Sequence, residues 1–367
     1  MVFAVRLSSS TNSVAVIGGG VVGAAVAYTL ARRGVAPVLL EAEDALALGA
    51  SGTNSGILHT GFDSVPGALE TRLIVRSAGL RDAVLDELRV PALRCGAVLR
   101  PGTEEQAANA RRNGVEVALH DGVLEVPGET VTDPVAYTLA LAAAARRAGA
   151  EIRTGARVDA IERAHGRLRL DGDVVCDVAV NCAGLNADAV AHMVGDDSFA
   201  IYPRKGEFFV FEAALDHILL PAPTKRTKGV LVFPTIDGKV VAGPTAHDQT
   251  DKADWSVRPE ARAEVLDKAA AMLPALAAAE PIASYAGLRP AGCDGANYVI
   301  GPSPACPQLI NVAAIRSTGL SASLGIGEHV AGLVEQAGVA LGPDRPLPPG
   351  AVPQTEVAWW RRRRCRA

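Results

Sequence analysis

The chain has 367 residues, 49% of them hydrophobic, and a formal net charge of −4. That is apolar material for two or three packed units of about 150 residues each; glycine and proline are spread along the chain without a low-complexity tract or repeat before the last few residues, which excludes disorder as the main theme. Arg361, Arg362, Arg363, Arg364 and Arg366 gather positive charge at one end and leave about −9 for the rest, so nucleic acid is a poor partner for the folded body.

The six cysteines (Cys95, Cys176, Cys182, Cys293, Cys306, Cys365) form no CxxC pair. No metal site is therefore expected, and reduced thiols suit a cytoplasmic location. The first residues lack the pattern of an export signal, and no apolar run reaches the roughly 18 residues of a membrane span.

Residues 13–41, SVAVIGGGVVGAAVAYTLARRGVAPVLLE, read as a short apolar strand, a glycine turn, a helix of small residues ended by Gly34, and a second apolar strand. This is a βαβ unit. Gly18 permits a tight turn, Gly20 lets backbone N–H groups approach a pyrophosphate at the helix N-terminus, and Gly23 lets helix and strand pack closely. Glu41 stands where an acid accepts hydrogen bonds from an adenosine ribose. Together these features predict dinucleotide binding.

Residues 174–190 repeat the strand-turn-helix form, with Ala183 and Gly184 allowing close backbone approach. Residues 201–211 and 229–243 read as strands, the latter folded into a hairpin at Asp237-Gly238. At 309–335 the pattern returns to a buried strand, a polar glycine-containing turn and a helix. Such a late return to the cofactor domain favours FAD over a nicotinamide. The expected fold class is α/β: a discontinuous Rossmann-like FAD-binding domain (1–85, 134–198 and 290–340), a β-rich α+β substrate domain (86–133 and 199–289), and a C-terminal tail (341–367).

The chain resembles the D-amino acid oxidase superfamily of flavoproteins, within it the branch of L-2-hydroxyglutarate oxidases and FAD-dependent glycerol-3-phosphate dehydrogenases. The resemblance rests on Gly18, Gly20, Gly23 and Glu41; on Thr53-Asn54-Ser55-Gly56-Ile57-Leu58-His59-Thr60-Gly61; on Arg204-Lys205-Gly206-Glu207; on Gly287-Leu288-Arg289; and on Ser317-Thr318-Gly319-Leu320-Ser321-Ala322. It implies that the loop from Ser51 to Gly61, with Thr53, Asn54 and Ser55, runs along the flavin, that Val158, Ala183 and Gly184 also touch the cofactor, and that the helix opening at Thr318, Gly319 and Leu320 faces the pyrimidine end of the ring. Positive charge at that helix end would stabilise reduced flavin. Compared with the branch, the chain is short between about residues 100 and 133, so part of the substrate-domain edge is expected to be trimmed.

Oxidation of an alcohol needs a base, an anchor and a shielded pocket. His59 is the first candidate base, with a covalent flavin link as its alternative role, and His247 is the second. Arg289 and Arg316 are candidate anchors for a carboxylate or phosphate. Of the adjacent Arg204 and Lys205, at most one should face the pocket. Trp359, Trp360 and the arginines through Arg364 suggest peripheral docking at the inner face of an anionic membrane.

The expected activity is FAD-dependent oxidation of the secondary alcohol of a small anionic substrate, glycerol 3-phosphate or an L-2-hydroxyglutarate-like acid, with a quinone, a carrier or oxygen as electron acceptor. The alternatives are an amine oxidase acting on a glycine- or sarcosine-like substrate, and a flavin-binding protein without turnover.

Overall fold

The computed structural model describes residues 13–221, 229–347, 350 and 357–361. Strands β1 (Val14–Ile17), β2 (Val38–Leu40), β3 (Glu151–Arg153), β4 (Val178–Asn181), β5 (Val299–Pro302) and β6 (Leu309–Ala313) form a sheet in the order β5-β6-β4-β1-β2-β3. All neighbours are parallel except β5 and β6. β1, β4 and β6 are buried along their whole length, as a parallel sheet covered on both faces requires.

Alternation along the strands assigns the two covers. Val14, Val16, Val178 and Val180 face helices α1 (Val21–Arg32), α2 (Leu69–Leu88), α3 (Pro134–Arg147) and α4 (Gly319–Gln336), while Ala15, Ile17 and Ala179 face a small antiparallel sheet of Ile161–Ala164, Arg167–Leu170 and Val174–Cys176. The apolar run at 174–181 is thus two strands rather than the single one expected. Asp177 breaks it: its N–H donates to the Ser13 carbonyl and its carboxylate accepts from the Ser13 N–H.

A nine-stranded sheet draws on two separate stretches of chain. Ala97–Arg100, Ala118–His120 and Val123–Val126 come from the first, and the strands between Ile201–Phe211 and Ala283–Gly292 from the second. The expected hairpin is present: Pro234 pairs with Val240 around Gly238, whose φ is +74°. The stretch expected to be trimmed holds three strands and a helix, Glu104–Arg112, closed by a capping box between Thr103 and Gln106.

The aromatic tail departs from expectation. Trp359 and Trp360 are each only 2% exposed and belong to the apolar core beneath the nine-stranded sheet, so they are not offered to a membrane. Burying two indoles removes several hundred square ångströms of apolar surface from water, which outweighs leaving them free. Arg361 lies over the Trp360 ring at 4.6 Å, and Arg362, Arg363, Arg364 and Arg366 fall outside the described residues. Among the described residues no helix is long and apolar enough to cross a membrane.

Gly23 is the tightest junction of the βαβ unit, since a Cβ there would overlap the Gly18 carbonyl oxygen. Gly23→Ala should destabilise the protein by about 1–3 kcal/mol, the usual cost of overpacking, and lower its flavin content. Denaturant unfolding and cofactor absorbance check this, and wild-type values for both would place α1 wrongly against β1.

Candidate active site

One cavity of about 560 Å³ lies against the C-terminal end of β1 and the N-termini of α1 and α4, with the nine-stranded sheet closing it. It is lined by Gly18, Gly20, Glu41, Ser51, Thr53, Asn54, Ser55, Val158, Ala183, Gly184, Thr318, Gly319 and Leu320, together with His59, Arg289 and Arg316. Gly23 stands behind the wall, where it permits the packing.

Each glycine of the cradle has a steric reason. Gly18 has φ +109°, and a Cβ there would strike the Cys182 carbonyl; at Gly20 a Cβ would come within 3.1 Å of Ser51 Oγ, which accepts from the Val21 N–H at 2.9 Å. Glu41 is held in place by the Gly19 N–H at 2.6 Å and the Glu43 N–H at 2.8 Å. α1 and α4 have no acid in their first turns and no side-chain cap, so two partly positive helix ends meet one cavity. Two such ends, a backbone cradle and an acid at the end of β2 fit an adenine dinucleotide such as FAD.

His59 is the histidine the fold brings to this cavity, and its partner had not been foreseen. Nδ1 lies 2.7 Å from Oε2 of Glu129, a fully buried carboxylate whose Oε1 accepts from the Thr60 N–H at 2.7 Å and the Thr60 hydroxyl at 2.8 Å. Burial alone would raise the Glu129 carboxyl, but the charge and hydrogen bond of His59, with the two bonds from Thr60, bring it below the usual carboxylate range. An ionised Glu129 can only accept, so His59 Nδ1 is the donor in this contact and Nε2 is the ring nitrogen left outside it. Beneath the pair, Arg81 donates to the carbonyls of Leu58 and Gly128 and tightens both strands of the dyad. The sequence carried one signal for Glu129: an acid just after Pro127-Gly128 that precedes the β-branched strand Thr130–Thr132, all of it buried.

Arg289 reaches the cavity because its cross-strand neighbourhood is bare. A Cβ on Gly206 would overlap its guanidinium, which instead donates to the carbonyls of Arg204 at 3.1 Å, Lys205 at 3.0 Å and Thr245 at 2.5 Å. Burial, with a smaller push from Arg204 and against a pull from Asp248, lowers it to about 10, so it remains charged at neutral pH. Among the described residues no carboxylate pairs with it. Arg316 is also at the cavity, but it is ion-paired with Glu70 at 2.8 Å. Arg204 lines the wall and pairs with Asp248, whereas Lys205 faces the other way and bonds Asp254 at 2.7 Å. His247 stands away from the cavity, its Nε2 3.0 Å from Glu264, which removes it as a candidate base.

Residues 13–333 match the family described as FAD dependent oxidoreductase. The chain belongs to this family. Among its relatives, the chain is 28% identical over 348 residues to the glycerol 3-phosphate dehydrogenase of Caloramator mitchellensis, covering 86% of this chain and 72% of that one. It is 29% identical over 267 residues to the L-2-hydroxyglutarate dehydrogenase of Escherichia coli K12, covering 63% of each. The fold is similar to that of the dithionite-reduced L-alpha-glycerophosphate oxidase of Mycoplasma pneumoniae with FAD bound, at a TM-score of 0.81 and 24% identity, covering 92% of this chain and 97% of that chain. FAD is thus the cofactor of this family member.

Two outcomes follow for the site. Glu41→Ala should weaken FAD binding by about 1–3 kcal/mol, through lost hydrogen bonds to the ribose and a slackened Gly19 turn; titration of the apoprotein measures it, and an unchanged dissociation constant removes Glu41 from the cradle. The second concerns acid. Glu129 and the buried Glu207 are both depressed in the folded chain, the latter because Arg258 and Thr245 overcome its burial. The unfolded chain therefore takes up protons first, so their stabilisation is present above the ordinary carboxylate value of about 4.3 and is lost as pH falls through the lower folded values. Denaturant midpoints between pH 7 and pH 3 should fall accordingly, and less steeply in Glu129→Gln; an identical slope in that variant would mean Glu129 is not ionised in the fold.

Proposed function

We propose that the protein oxidises the secondary alcohol of a small anionic substrate, of the glycerol 3-phosphate or L-2-hydroxyglutarate kind, and passes the electrons to a quinone, a carrier or oxygen. In this reading residues 1–85, 134–198 and 290–340 hold the cofactor, and 86–133 with 199–289 cover it and hold the substrate. When bound, FAD supplies the hydride acceptor.

The observation that carries the reading is the joint presence of the His59–Glu129 pair and the half-buried Arg289 at one cavity. His59 Nε2 takes the hydroxyl proton while the C–H is removed, and Glu129 steadies the imidazolium that results. Arg289 holds the anionic end in an orientation that fixes the reacting carbon. Arg204, Lys252 and Arg316 have their charges matched by Asp248, Asp188 and Glu70, whereas Arg289 and the exposed Arg157 have no ion pair among the described residues. The longer match to the glycerol 3-phosphate dehydrogenase favours a monophosphate over a dicarboxylate.

Anaerobic addition of glycerol 3-phosphate, L-2-hydroxyglutarate, glycine or sarcosine, with flavin absorbance recorded, tests the reading. Bleaching by an alcohol supports it, bleaching by an amine alone replaces it with amine oxidation, and no bleaching by any leaves a flavin-binding protein without turnover. Acid release of all the flavin would dismiss a covalent link at His59.

Arg289→Ala should cost about 2–5 kcal/mol of substrate binding, roughly 30-fold to several-thousand-fold. Arg289→Lys should recover little, because an ammonium cannot reproduce the planar fork. Flavin reduction at sub-saturating substrate checks both, with FAD content measured first because neighbouring Gly287 packs on Thr53 of the cofactor loop. Wild-type rates in Arg289→Ala would remove Arg289 as the anchor.

A further inference from the structure

The family match ends at residue 333, yet described residues beyond it are docked at two places on the molecule. The Gly342 N–H donates to the Arg33 carbonyl and the Arg345 N–H to the Arg32 carbonyl, and Arg32 pairs with Asp344 at 2.7 Å, so the segment is tied first to the end of α1. Its last described residues lie in the core under the nine-stranded sheet, against the strand Ala283–Gly292, the loop Ala50–Thr53 and α3. There Trp360 Nε1 donates to the Asp237 carboxylate at 3.1 Å.

What Trp359 touches gives this docking a consequence. Its ring meets Tyr285 edge-on, 5.2 Å between centroids at 84°, and Tyr285 stacks on Phe208 at 4.8 Å and 13°. Phe208 lines the cavity. In the strand register Tyr285 lies opposite Phe208, Gly287 opposite Gly206 and Arg289 opposite Arg204. Side chains two apart on a strand share a face, so the aromatic pair, the bare glycine step that admits Thr53, and the Arg289 anchor form one row. Trp359 is wedged against the end of that row farthest from the anchor.

We propose that Trp359 is a positioning residue for the substrate cavity: by fixing the tilt of Tyr285 and Phe208 it sets the wall against which Arg289 presents the substrate, and the described residues 337–347 and 357–361 are the parts of a strap that hold it there. The proposal rests on the reading of Arg289 as the anchor. Trp359 is not among the residues that line the cavity, so its loss acts on substrate fit before it acts on the chemical step.

The test compares wild type, Trp359→Ala, Trp359→Phe and Asp237→Ala as FAD-loaded proteins, using whichever compound bleaches the wild-type flavin. Trp359→Ala should raise KM roughly fivefold or more with kcat held within about twofold, and Trp359→Phe should bring KM back to within about twofold of wild type. Asp237→Ala releases Trp360 without opening the core and should raise KM by a smaller factor, which keeps the test decisive if Trp359→Ala does not fold. Backbone hydrogen exchange over Ala283–Gly292 needs no substrate and should accelerate in Trp359→Ala and Asp237→Ala. Unchanged exchange and KM in folded, flavin-loaded variants overturn the strap, as would a fall in melting temperature with KM and kcat both unmoved. If no compound bleaches the wild type but exchange accelerates as stated, the proposed reaction fails while the strap's hold on the strand stands.

Discussion

The register between Ile201–Phe211 and Ala283–Gly292 fixes the site. Ten consecutive pairs, from Ile201 with Gly292 to Val210 with Ala283, put Arg289 beside Arg204 and set Gly287 facing Gly206. A slip of one residue would turn every side chain to the opposite face. If Ala283–Gly292 shifted, Arg289 would leave the cavity; if Ile201–Phe211 shifted, Lys205, now bonded to Asp254 on the far side, would replace Arg204 on the cavity wall. The two glycines matter here for the volume they leave empty: one admits the guanidinium and the other the cofactor loop at Thr53.

Around that frame the protein buries several charges, each at a desolvation cost that removal of its partner would expose. Glu129 is compensated by His59 and by two bonds from Thr60, and Glu207 by Arg258 and Thr245. Arg289 differs in kind, because three backbone carbonyls take bonds from its Nε and Nη2 without cancelling its charge. A cation solvated by dipoles and faced by a cavity is prepared for an anion that arrives from solution. The contrast with Arg316, already neutralised by Glu70, separates two arginines that look equivalent in the sequence.

The His59–Glu129 pair also changes the meaning of the short stretch before residue 133. It is a folded edge: Ala118–His120 and Val123–Val126 join the nine-stranded sheet, and its exit carries the carboxylate to the histidine. Its hydrogen bond fixes which ring nitrogen holds the proton, and the ring's orientation follows from the same contact.

Where the governing contacts are local, the sequence was sufficient. The turn at Gly18, the helix opening at Gly20, the acid at Glu41 and the hairpin at Asp237-Gly238 follow from steric demands within a few tens of residues, which a periodic pattern records. Arg289 and His59 were found through their glycine-bounded motifs. Glu129 lies 70 residues from His59, the break at Asp177 depends on Ser13, and Trp359 depends on Tyr285; such pairings between distant positions leave no periodicity in the chain. The sequence by itself therefore determined the cofactor and the class of fold. Only the tertiary structure decided which histidine is oriented, which arginine keeps an unmatched charge and where the tryptophans go, because burial and partnership are properties of residues that meet only after the chain has folded.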